Sequence, residues 1–206
     1  MSSKSTSPLS LALTATALIV FFGLVAFFLG PNLVEKHNEN AAWYFLHIAG
    51  GSLVLLLGPF QFVAPLRNRF RRYHRMAGYT YIAGSAMAVT GFIGLPKEEL
   101  FLTSQLVALA LWVVCVVLAI RAIRSGKLLS HQHNMARSFV LACYFLTARI
   151  VDRYAMGLLV PLASSESIRL AHSDWLAWLI PLLAVELYFT HKWQSTLGNR
   201  VSRNAT

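Results

Sequence analysis

The sequence predicts an all-α integral membrane bundle of six spans with both termini in the cytoplasm. Two observations predict it. Six apolar stretches are each long enough to cross the roughly 30 Å hydrocarbon core of a bilayer. The charges outside them also sort by side when the intervening segments are assigned alternately. One side collects Lys4, Arg67, Arg69, Arg71, Arg72, Arg75, Arg121, Arg124, Lys127, Arg137, Lys192, Arg200 and Arg203, with no acidic residue. The other collects Lys36, Lys97 and Arg169 together with Glu35, Glu39, Glu98, Glu99, Glu166 and Asp174. Short loops rich in Lys and Arg stay cytoplasmic, which fixes the orientation.

A third observation sets the class. At 206 residues and 56% hydrophobic, the chain leaves no room for a separate soluble domain, so residues 1–206 read as one transmembrane domain. The net charge of +10 would point to nucleic acid in a soluble protein. Here it flanks apolar spans, so the partners it implies are the lipid bilayer and its anionic headgroups, not nucleic acid. A homo-oligomer or a larger membrane complex is compatible with the same surface.

The first span runs from about residue 9 to 30. It is too long for the ~7–15-residue core of a cleavable signal, and Gly30-Pro31-Asn32 follows it in place of a small-residue cleavage site. It reads as retained. Span two covers 42–63, with Trp43 and Tyr44 at its outer end and Gly50-Gly51 and Gly58-Pro59 inside it. Span three covers 77–95. Its Gly84 and Ala88 stand four apart, the spacing that lets helix backbones approach closely. Span four, 100–120, is the most uniformly apolar. Span five covers 136–159 and span six 175–190. Residues 67–75 and 121–135 read as cytoplasmic loops. Cys115 and Cys143 fall within spans and match no metal motif.

Two constellations could carry chemistry. Arg149, Asp152 and Arg153 lie at i, i+3 and i+4 of span five, on one helix face. Arg149 is twelve residues from both Arg137 and Pro161, so it lies about 18 Å from either end. Glu186 in span six falls at a comparable depth, and His47 in span two lies about five residues from the outer surface. These residues predict a buried polar cluster of His47, Arg149, Asp152, Arg153 and Glu186, with Arg149 and Glu186 as an ion pair. Ionisable groups at such depth are costly and by default functional, although pairing that only locks helix order would use the same residues.

The second constellation lies at the cytoplasmic face. His74 opens span three, and His131 and His133 precede span five. Imidazoles from separate helices could hold a haem or a metal ion, and His74, His131 and His47 are the candidate ligands. His131 and His133 are two apart and cannot share one helical face, so one of them is a bystander. Arg67, Arg71, Arg72, Arg75 and Arg137 are the candidate contacts for lipid headgroups or phosphate. No nucleotide loop, zinc-protease motif or nucleophile elbow is present.

Three stretches carry a family resemblance: His47-Ile48-Ala49-Gly50 running into Gly58-Pro59-Phe60-Gln61-Phe62; Arg67 through His74-Arg75-Met76-Ala77-Gly78 to Tyr81; and His131-Gln132-His133-Asn134-Met135-Ala136-Arg137-Ser138, followed by Arg149. Together they resemble a group of uncharacterised bacterial multi-pass membrane proteins defined by a domain of unknown function. The resemblance spans roughly 43–155 and singles out His47, Gln61, Arg67, His74, Arg75, His131, Met135, Arg137 and Arg149. It favours His131 over His133, and it departs at Asn134, where the family pattern has Trp. It implies a bacterial inner membrane and no established activity. The function classes left open are a haem- or metal-binding, redox-associated protein, a small transporter using the buried cluster, and a non-catalytic assembly factor of a membrane complex.

Overall fold

A computed structural model describes residues 8–29, 40–154, 156–159 and 165–204. Every regular element among them is a helix. The chain forms two compact units, Met1–Lys97 and Glu98–Thr206.

In the first unit, α1 (Pro8–Leu29) is apolar around its whole circumference and buries only Val25 among its described side chains. A helix of that kind suits lipid on all sides. It meets α2 (Ala41–Phe62) through the stacked rings of Phe22 and Phe60, 5.8 Å apart. The chain bends at Val63, makes the short helix α3 (Ala64–Arg69), turns again at Phe70, and enters α4 (Arg71–Gly94). The stretch expected as a basic loop is therefore helical: α3 carries Arg67 and Arg69, and the first turns of α4 carry Arg71, Arg72 and Arg75.

The core of this unit is the seam between α2 and α4. Gly50, Val54, Leu55, Gly58 and Gln61 of α2 face Tyr81, Gly84, Ser85, Ala88 and Gly91 of α4. Glycine is required here by proximity. A Cβ at Gly84 would stand 2.9 Å from Gly50 O and Leu53 Cβ, and one at Gly91 would stand 2.7 Å from His47 Cα. Without side chains at these points the backbones come close enough for dispersion to hold the pair. At the far end Leu95 is extended ahead of Pro96, and the Lys97 ammonium donates to the carbonyls of Ile93 (2.9 Å) and Leu95 (2.6 Å), closing the helix.

In the second unit, α5 (Glu99–Arg124) ends in a Schellman turn. Gly126 takes φ +69°, Gly126 N–H donates to Ile123 O (3.2 Å), and Lys127 N–H donates to Ala122 O (2.9 Å). The chain re-enters a helix at once, α6 (Leu128–Ala142), which packs back along α5 through Asn134, Ser138 and Leu141. The second expected loop thus shrinks to a turn, and His131 and His133 are helical.

Span five is not one helix. After α6 come a turn at Cys143, then α7 (Tyr144–Tyr154) and the short α8 (Met156–Leu159). The Thr147 hydroxyl donates to Tyr144 O (2.9 Å) and Cys143 O (3.2 Å), a local bond that competes with the helical ladder and bends it. The last helix, α9 (Glu166–Asn204), contains Pro181.

Four helices are long and apolar enough to cross a membrane, over 10–27, 41–62, 99–124 and 166–192. The other two expected spans do not reach that standard among the described residues. In α4 the Tyr, Ser, Thr and Gly residues dilute the apolar ones, and span five is divided. The loop expected around Glu35 and Glu39 and the end of span five at Pro161 lie outside the described residues.

Candidate functional site

The histidines are held from their backbone side. In the first unit, half-buried His47 donates from Nδ1 to the carbonyl of Ala88 across the seam, at 2.8 Å. A carbonyl can only accept, so the proton sits on Nδ1 and the neutral ring keeps its lone pair on Nε2. In the second unit His131 repeats the arrangement, donating from Nδ1 to Ala119 O of α5 at 3.0 Å. His133 faces elsewhere: its ring stacks on Phe189 of α9 at 3.9 Å and 17°. The two neighbours thus serve different helices, as their spacing of two requires. His74, half-buried, lies one turn before Gly78 on the face of α4 that turns toward α2.

Gln61 lies in the same seam, 8% exposed, with its amide oxygen beside Gly78. Its Nε2 has no hydrogen-bond partner among the described residues. Around that end of the seam, Arg67 is half-buried and Arg71, Arg72 and Arg75 are exposed.

The ion pair of the second unit differs from the expected one. Glu186 accepts a two-pronged bond from Arg137, Nε to Oε1 at 2.5 Å and Nη2 to Oε2 at 2.8 Å. Arg137 Nη1 also donates to Asn134 Oδ1 (3.3 Å), and Asn134 Nδ2 donates to Ser130 O (2.9 Å). Arg137 is therefore committed to a carboxylate and not to headgroups, and Glu186 is not the partner of Arg149. Arg149 is exposed, with its guanidinium 4.9 Å from the centre of the Phe145 ring. Asp152 and Arg153 are exposed as well, and Asp152 accepts from Ser173 Oγ at 2.9 Å.

The buried cluster expected from Arg149, Asp152, Arg153 and Glu186 is thus divided, and the cause is register: α9 begins at Glu166, so Glu186 lies about 30 Å along it, level with Arg137. Arg149, twelve residues past Arg137, stands about 18 Å further along the chain's rise. Tyr144 donates to Asp174, while Asp152, about 12 Å further along α7, reaches the adjacent Ser173. Both ends of α7 therefore meet α9 at one level, that of Ser173 and Asp174. His47 belongs to the first unit and the four charged residues to the second.

Sequence reasoning missed one group. Buried Asp174, expected in the outer flank of span six, takes the Tyr144 hydroxyl, and nearby Trp178 Nε1 donates to Ser104 Oγ at 3.0 Å. Nothing local in the sequence joins Ser104, Tyr144 and Asp174, which come from three helices. No group of three His, Cys, Asp or Glu side chains that could hold a metal ion occurs among the described residues. Cys115 and Cys143 are free thiols.

With every described element a helix, and four of them long and apolar enough to cross a bilayer, the chain is built as a membrane protein. It belongs to the family described as "Predicted membrane protein (DUF2306)", a family of unknown function, which matches residues 44–189. The match extends further toward the C-terminus than the sequence motifs do and takes in Glu186. No curated protein and no solved structure matches the chain.

Proposed function

We propose that this is a haem-binding, redox-associated protein of a bacterial inner membrane, with His131 as the iron ligand of the second unit and His74 and His47 as candidate ligands within the first. The observation that carries the reading is the Nδ1–H bond from His131 to Ala119 O. It fixes the tautomer, aims Nε2 away from the helix that holds it, and makes that nitrogen a better donor, as carbonyl-bonded imidazoles are at metal centres. His47 is prepared in the same way by Ala88 O. A bare metal ion needs three or four side chains, and no such group occurs among the described residues. Haem brings four nitrogens of its own and asks the protein for one or two imidazoles, so the residues present fit it better. When bound, haem supplies one-electron transfer; the chain's part is to orient the imidazoles and keep them dry.

The test is the visible spectrum of protein purified from haem-replete cells, in wild type and in single His→Ala variants. The Soret band should be lost or shifted on His131→Ala and kept on His133→Ala. A folded wild-type protein with no absorption above the aromatic band overturns the reading.

The same proposal places six spans in the membrane with both termini, Arg71 and Lys127 on the cytoplasmic side. Its support is the sorting of basic and acidic residues. Reporter fusions after Lys127 and after Glu166 should give opposite sides. A common side for both would overturn the arrangement.

A further inference from the structure

We propose that the corner formed by α2, α3 and α4 binds a phosphate group, that of an anionic lipid, through Gln61 and the arginines Arg67, Arg71 and Arg75. The reading stands independently of haem. Three observations bear on this corner, and each is a hydrogen-bond donor or positive charge without an acid to meet it among the described residues.

The first is Gln61. Its side chain is 8% exposed, and its amide nitrogen has no acceptor among the described residues. A buried donor left unmade costs the protein its full desolvation penalty, so such groups mark a missing partner that accepts hydrogen bonds. The second is the start of α4. It has no side-chain cap and no acidic residue in its first turn. Arg71, Arg72 and Arg75 stand there instead, at the positive end of the helix dipole, where cations are disfavoured. The third is charge balance. The described residues of the first unit contain no Asp or Glu, so the arginines of α3 and α4 have no counter-charge among the described residues of that unit.

An acceptor with several anionic oxygens answers all three. Arginine forks match phosphate geometry, the free N–H groups of a helix start favour an anion, and one more oxygen would take the Gln61 N–H. Gln61 lies one residue from the end of α2, so the level is that of the headgroups. The lipid is the source favoured by that depth.

The experiment uses the full chain, purified in detergent and stripped of lipid, with native mass spectrometry as the readout. Phosphatidylglycerol, phosphatidylcholine and inorganic phosphate are added separately. Phosphatidylglycerol should bind at least tenfold more tightly than phosphatidylcholine. Gln61→Leu should weaken phosphatidylglycerol about tenfold, the loss expected for one hydrogen bond to a charged oxygen. It should leave the unfolding temperature unchanged or raised, because an apolar side chain of similar size suits a dry seam. The exposed-rim variant Arg71→Gln/Arg75→Gln, which removes no buried group, should weaken it further. Arg124→Gln, outside the corner, should not. If millimolar inorganic phosphate displaces the lipid, the phosphate site stands and its occupant is the free ion. If it does not, the occupant is the lipid. Equal binding of the two lipids would overturn the proposal, as would unchanged phosphatidylglycerol binding in both Gln61→Leu and the double arginine variant.

Discussion

Arg137→Ala should destabilise the second unit by about 1–3 kcal/mol, between what breaking an exposed and a buried ion pair costs. The removed guanidinium serves two oxygens of Glu186 and the side-chain oxygen of Asn134. Its loss strands a carboxylate within an apolar helix. The range is intermediate because the pair is partly open, 30% for Arg137 and 39% for Glu186. Glu186→Gln should cost less, since a neutral amide can still accept from Arg137. The double variant Arg137→Met/Glu186→Leu should recover most of the loss, because no charge is left without its partner. Thermal unfolding in detergent, followed by size-exclusion chromatography, checks all three. A single Arg137→Ala variant as stable as wild type would show that the pair contributes nothing.

Gly50→Ala should cost about 3 kcal/mol or more, at or above the usual ceiling for overpacking, while Gly51→Ala next to it should stabilise by about 0.5–1 kcal/mol. The contrast lies in what each methyl would meet. At Gly50 it would lie 2.8 Å from Met87 Cβ and closer still to Ala88 N and Gly84 O, which are backbone atoms and cannot turn aside. The helices would have to separate at the level of the His47–Ala88 bond. At Gly51 nothing lies within 4 Å, and alanine only adds helix propensity. Unfolding temperatures of the two variants decide it. Equal shifts would mean that the seam is not as close as described.

The seam itself was legible in the sequence. Gly84 and Ala88 at a spacing of four, with Gly50 and Gly58 in the preceding span, mark two backbones made to touch, and those residues form the interface. The opposed facing of His131 and His133 was legible too, because a spacing of two allows no other arrangement on a helix. The break at Cys143 was not. No proline or glycine stands there; the interruption is accompanied by the Thr147 hydroxyl bonding carbonyls of its own helix and by Tyr144 reaching Asp174 on a distant one, contacts that spacing does not reveal. With the last helix taken to begin at Trp175 instead of Glu166, Arg149 is placed opposite Glu186 by counting residues. The true partner, Arg137, is mistaken for a headgroup contact at a span boundary. The partnerless amide of Gln61 was equally invisible, since a glutamine at a helix end gives no sign of whether its seam is dry.

If His131, anchored through Nδ1, presents Nε2 to iron, low-temperature electron paramagnetic resonance of the oxidised, purified protein shows it most directly. Ferric haem held by the His131 imidazole gives a signal set by that ligand, which wild type should show and His131→Ala should lose or shift. A well-folded wild-type protein with no ferric haem signal, or with one that His131→Ala leaves unchanged, would contradict it.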